Sequence, residues 1–127
     1  MTPLRVLHVD DEADIREVAA FSLELDPDIS LISAASGAEA LQALSTGREV
    51  DVILLDVMMP GMDGPETLAR LRRLPGHERT PVVFMTARAQ ESEVDKYRAL
   101  GALDVIVKPF DPITLAQDLR AILAAAS

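Results

Sequence analysis

Five short runs rich in β-branched residues punctuate the chain, and three of them are almost continuously apolar. They are residues 4–10 (LRVLHVD), 30–34 (SLISA), 51–56 (DVILLD), 81–86 (PVVFMT) and 103–107 (LDVIV). A strand that is apolar on both faces must be covered on both. A parallel sheet between two layers of helices meets that demand, and a half-exposed antiparallel sheet does not. The stretches between the runs carry helical spacing, so the order reads βαβαβαβαβα. Ser30 and Ser33 make the second run an edge strand.

Ser36 and Glu39 form an S-x-x-E capping box at the head of a helix whose Gly37, Ala40, Leu41 and Leu44 share one face. Pro65 suits a first helical position, with Leu68 and Leu71 behind it. Asp111 followed by Pro112 starts a last helix that buries Leu115, Leu119, Ile122 and Leu123. Residues near 13–25 and 90–100 supply two less sharply punctuated helices, and residues 74–80 (LPGHERT) read as a polar loop in which His77 is exposed.

At 127 residues, 49% apolar and 26% charged, the chain is expected to form a single domain spanning residues 1–127. Aromatic residues are only 3% of it, so there is no platform on which bases could stack. Twelve basic against twenty-one acidic residues give a net charge of −9, which repels nucleic acid and anionic membrane alike. The absence of cysteine removes disulfides, thiolate nucleophiles and sulfur-ligated zinc. The longest apolar run, residues 121–126, is far short of the ~20 needed to cross a bilayer, and Arg5 and Asp10 interrupt any signal-peptide pattern. A cytoplasmic location is expected.

Unusual polar residues sit at the carboxyl ends of the apolar runs: Asp10 and Asp11 after the first, Asp56 ending the third, Thr86 the fourth and Lys108 the fifth. In a doubly wound sheet those ends open on one edge, where ligands bind at the point at which strand order reverses. With strand order 2-1-3-4-5, Asp10, Asp11 and Thr86 flank Asp56, and a long Lys108 side chain reaches across. Like charges about 4 Å apart cost about 4 kcal/mol at an effective dielectric near 20, so three carboxylates in one crevice demand compensation. With oxygen donors only, the compensating ion should be hard, and room for water favours Mg²⁺. A divalent ion, a lysine, a hydroxyl and a carboxylate are the parts that hold a phosphoryl group, and a carboxylate attacking phosphorus gives an aspartyl phosphate.

HVDDE at 8–12, LLDVMMPGMDG at 54–64, VVFMTA at 82–87 and VKPF at 107–110 together resemble the receiver domain of two-component response regulators, over essentially the whole chain. The resemblance implies a flavodoxin-like (βα)5 three-layer α/β sandwich with no effector domain in these residues. It implies that Asp56 is the phosphoacceptor. Asp11 would bind Mg²⁺ directly together with Asp56 and the backbone carbonyl of Met58, Asp10 would act largely through water, and Lys108 would pair with phosphoryl oxygens. It further implies that Thr86 turns toward the phosphate on activation and that the peptide before Pro109 is cis. The implied partners are a histidine kinase or phosphotransfer protein and a downstream protein, met through the fourth helix, fifth strand and fifth helix. Where the family usually carries an aromatic switch residue, this chain has Val105.

Taken singly, these residues have plainer readings. Asp10 and Asp11 are then a helix N-cap and its neighbour, Thr86 a strand-end hydroxyl bonded to backbone, Asp56 a turn residue and Lys108 a solvated charge. His8 is expected to be packed, and Met58, Met59 and Met62 to fill gaps. Leu103 and Val105 either form a partner face or lie beneath helices. Two rival functions stand beside the phosphorylation switch: a phosphorylation-independent docking module, and a Mg²⁺-dependent phosphohydrolase, whose D-x-D nucleophile motif is not found at Asp56 and whose cap insertion is lacking. The domain is read as a switch and not as a turnover enzyme.

Overall fold

The computed structural model describes residues 2–126. Five strands alternate with five helices: β1 (Leu4–Val9), α1 (Ala13–Glu24), β2 (Ile29–Ala34), α2 (Gly37–Ser45), β3 (Val52–Asp56), α3 (Gly64–Leu71), β4 (Val82–Thr86), α4 (Glu91–Ala99), β5 (Asp104–Val107) and α5 (Leu115–Ala126). All strand pairs are parallel and the order is β2-β1-β3-β4-β5, with β2 at an edge. This is the flavodoxin-like α/β fold.

Every residue of β3 and β4 is buried. Alternation along the strands divides their side chains between two cores. Leu7, Val9, Ile53, Leu55, Val82 and Phe84 meet α2, α3 and α4 on one face. Val6, Val52, Leu54, Val83, Met85 and Ile106 meet α1 and α5 on the other. Asp10 and Lys108 lie just beyond their strands, at the edge where the chain turns toward the following helix.

Helix starts follow the capping chemistry with two adjustments. The Ser36 hydroxyl accepts from Glu39 N at 3.1 Å, as the capping box requires. Helix α3 begins at Gly64, with Asp63 as N-cap accepting from Glu66 N at 2.9 Å, so Pro65 is the second helical residue and not the first. Helix α5 begins at Leu115 and not beside Pro112. Asp111 Oδ1 takes the Ile113 N–H at 2.9 Å, and the Asp111 carbonyl takes those of Thr114 and Leu115, making a turn that leads into the helix.

His77 is buried, contrary to its polar neighbours. Its Nδ1 lies 3.0 Å from Thr80 Oγ1, and the Arg72 guanidinium reaches over to the carbonyls of His77 at 3.2 Å and Thr80 at 2.6 Å, drawing the loop inward. Leu103 and Val105 are half-buried against opposite cores, and the exposed apolar residue of β5 is Val107. Among the described residues no helix is long and apolar enough to cross a membrane.

Candidate functional site

The carboxyl ends of β1, β3 and β4, with the residue that follows β5, meet at one edge of the sheet. Asp10, Asp11 and Asp56 each bring a carboxylate oxygen within 4.8 Å of the others. Asp10 and Asp56 are buried and Asp11 is exposed. The Lys108 ammonium donates to Asp10 Oδ2 at 2.8 Å and lies 3.2 Å from Asp56 Oδ1. One lysine therefore serves two buried carboxylates, and the third faces the open edge.

The two buried acids are placed by backbone. Asp10 N donates to the Ala34 carbonyl, tying the end of β1 to β2, and Asp10 Oδ1 accepts from Glu12 N at 2.9 Å. That bond closes a turn ahead of α1, whose N-cap is Glu12 with no side-chain cap, so the plain N-cap reading of Asp10 is corrected; it leaves Oδ2 for the lysine. The Arg16 guanidinium donates to the Asp10 carbonyl at 2.8 Å. Asp56 is held by Val57 N donating to the Met85 carbonyl and by Gly64 N returning to the Val57 carbonyl at 2.9 Å. A Cβ at position 64 would stand 2.6 Å from the Asp56 carbonyl oxygen and 2.9 Å from Val57 Cα, so only glycine lets the loop after β3 close so near the phosphoacceptor candidate.

Burial raises the Asp56 carboxyl above its ordinary value and the Asp10 charge adds to this; the Lys108 charge, its hydrogen bond and the Met58 backbone oppose them. Burial alone would lower the Lys108 ammonium, but the hydrogen bond to Asp10 and the charges of Asp56 and Asp10 outweigh it and hold the group above its usual value. His8 is fully buried, and neither ring nitrogen has a partner among the described residues. Burial pushes its imidazolium down to about 4, so it is a neutral packed side chain at neutral pH.

Thr86 is buried and its hydroxyl oxygen accepts from Arg88 N at 3.1 Å. The Lys108–Pro109 peptide is cis. Val105 lies in register with Phe84, whose ring meets Tyr97 of α4 edge-on. Met59 is buried and fills the core as expected, but the Met58 side chain is 77% exposed, so its gap-filling reading is corrected. Sequence reasoning passed over Gly64, Arg16 and Tyr97. The PGMDG run held the signal for Gly64, whereas nothing local marks the other two.

The donors at this edge are hard oxygens in excess of the local cations, a set that fits a divalent ion such as Mg²⁺ and offers nothing to a soft metal. A family profile described as the response regulator receiver domain matches residues 6–120. The chain is 35% identical to the chemotaxis response regulator CheY4 of Vibrio cholerae, covering 95% of this chain and 99% of that one with a TM-score of 0.85. It is 38% identical over 126 residues to the phosphate regulon transcriptional regulatory protein PhoB of Pseudomonas aeruginosa, covering 93% of this chain and 51% of that protein. It is 39% identical over 107 residues to a protein-glutamate methylesterase/protein-glutamine glutaminase of Cereibacter sphaeroides, covering 83% of this chain and 28% of that protein.

The chain belongs to the response regulator receiver domain family, the phosphorylation-controlled signalling domain of two-component systems. Aspartate phosphorylation and Mg²⁺ binding at an acidic pocket are general to that family, as is interaction with histidine kinases or phosphotransfer proteins. The receiver domain is a signalling domain, and relatives such as the methylesterase join it to an enzyme. The chain spans about half the length of the curated transcriptional regulators it matches.

Proposed function

We infer that Asp56 accepts a phosphoryl group from a phosphohistidine of a kinase or phosphotransfer protein. The observation that carries this is the convergence of Asp10, Asp11, Asp56 and Lys108 on one edge with more negative than positive charge. An Asp56 carboxylate oxygen attacks phosphorus, the O–P bond forms, the N–P bond breaks, and its electron pair stays on the imidazole nitrogen, which takes a proton. Asp11, Asp56 and the Met58 carbonyl would hold Mg²⁺ directly, with Asp10 acting through water. The ion, when bound, would neutralise charge on the phosphoryl oxygens.

Lys108 is placed to turn from the Asp56 carboxylate to the phosphoryl group that replaces its charge, and the Thr86 hydroxyl to donate to a phosphoryl oxygen. A cavity of about 400 Å³ beside Lys108, lined by Ile15, Val18, Phe110 and Pro112 among others, supports docking of the donor protein at this side of the site. The exposed side of α4, β5 and α5 then meets a downstream protein. A docking module indifferent to phosphorylation gives no reason for three clustered carboxylates with one lysine paired to two of them.

The test is mass spectrometry after incubation with acetyl phosphate and Mg²⁺. One phosphate is expected on the wild type and none on Asp56→Asn; an equal gain on both rejects the assignment.

A further inference from the structure

The side chains of the site do not all belong to the same face of the sheet. Asp10 continues the row of Val6 and His8, Asp56 that of Leu54, and Lys108 that of Ile106, all on the side of α1 and α5. Thr86 instead continues the row of Val82 and Phe84, on the side of α2, α3 and α4. It is the site hydroxyl whose own strand face looks toward α4.

Helix α4 is held to that face narrowly. Its sequence, ESEVDKYRA, is mostly charged or polar, and Tyr97 is its one buried side chain. The Tyr97 ring meets the fully buried Phe84 edge-on, with centroids 5.2 Å apart and planes at 73°. Phe84 precedes Thr86 by two residues on the same row. Opposite Phe84 in the ladder stands Val105, a β-branched aliphatic with few rotamers and no ring. The aromatic contact between the sheet and α4 is thus Phe84 with Tyr97, and no fifth-strand aromatic shares it.

We propose that Tyr97 is the residue through which the state of the acidic site reaches α4, by way of Thr86 and Phe84. This rests on Asp56 being the phosphoacceptor. When Thr86 turns toward a phosphoryl oxygen, the end of β4 shifts away from the α4 face, the Phe84 ring gains room on that side, and Tyr97 resets against it. Because α4 has no second buried anchor, the whole helix follows the ring, and its exposed charged surface is what a downstream protein reads.

The chain has a single tyrosine and no tryptophan, so its intrinsic tyrosine emission reports on this ring alone. With acetyl phosphate and Mg²⁺, mass spectrometry follows phosphate uptake while emission follows Tyr97. Uptake of one phosphate should be accompanied by an emission change, with neither seen in Asp56→Asn. Uptake with unchanged emission overturns the coupling and leaves the phosphoacceptor standing, whereas no uptake removes the ground of both. Tyr97→Leu should take up phosphate at the wild-type rate yet lose the severalfold change in amide exchange across residues 91–99, and Tyr97→Phe should keep it. Equal exchange responses in all three proteins also overturn the proposal. If Tyr97→Leu does not fold, the wild-type emission measurement decides.

Discussion

The two edges of the sheet handle acidic residues in opposite ways. At the amino ends of the strands, acids are matched by arginines: Asp51 and Glu49 by Arg5 at 3.0 Å each, Asp26 by Arg120 at 2.6 Å and Asp104 by Arg98 at 2.9 Å. At the carboxyl ends three acids cluster, and one lysine pairs with two of them. The protonation energetics differ in sign. Hydrogen bonds from Arg120 and Arg5 hold the Asp26 and Asp51 carboxyls below their ordinary range, while burial and Asp10 hold Asp56 above it. Matched pairs are what a fold makes to secure its own loops. A buried cluster left short of positive charge costs the fold stability, and its use lies in what it binds.

The largest expected effect is at Asp56. Asp56→Asn should abolish phosphate uptake while raising Tm by a few degrees, because it removes a charge that the folded state disfavours. The sign follows from the raised folded value. Ionised Asp56 costs stability at neutral pH, and the wild type regains it as pH falls through that raised value toward the ordinary carboxylate range. The Tm gap between variant and wild type, followed by thermal melts, should therefore narrow as pH falls. A gap that widens on acidification breaks the contrast between the edges.

Next in size is Lys108→Ala. Losing the one cation shared by two buried carboxylates should cost about 3–5 kcal/mol in the absence of divalent ions. Mg²⁺ should still bind, measured by titration, and should recover much of that loss. Phosphate uptake would remain detectable, but the exchange response of α4 should be weak. Loss of Mg²⁺ binding would instead make the lysine a support for the metal. Gly64→Ala comes third, at about 1–3 kcal/mol, because its Cβ would press on the backbone of Asp56 and Val57. Its phosphate uptake should slow as well, which a purely structural glycine far from the site would not cause.

Sequence reveals the sheet and the ends of its strands more readily than the distant partner of any one polar or aromatic residue. Apolar runs such as VILLD and VVFMT declare a doubly covered sheet, and the right-handed crossover then brings their ends together, so Asp10, Asp11, Asp56, Thr86 and Lys108 could be placed from spacing. The fate of a loop residue is set by a partner elsewhere in the chain. His77 sits among polar neighbours and is buried only because Arg72 reaches back over residues 77–80. Arg16 looks like one more charged helix residue until its hydrogen bond to the Asp10 carbonyl is seen. Tyr97 is an isolated ring in a polar helix, and its importance depends on Phe84, thirteen positions earlier, facing it across the interface.

The smallest effect tests the matched edge. Arg5 donates to Asp51 from both its backbone and its guanidinium, and to Glu49 from the guanidinium, yet the group is half exposed, so water and salt replace much of what Arg5→Ala removes. The backbone bond survives the substitution, and the Tm loss should be smaller than for any variant above, shrinking further with added salt. Both gaps close on acidification but with opposite sign: the wild type gains stability through Asp56 and loses it through Asp51. The lowered Asp51 carboxyl contributes stability above the ordinary carboxylate range and loses it as pH falls through its folded value, so the difference between wild type and Arg5→Ala should fade on acidification. Phosphate uptake should be unchanged, because the pair lies at the far end of β1 from Asp10. A slowed uptake in Arg5→Ala would mean that the two edges are mechanically coupled through β1, and the division of labour between them would have to be redrawn.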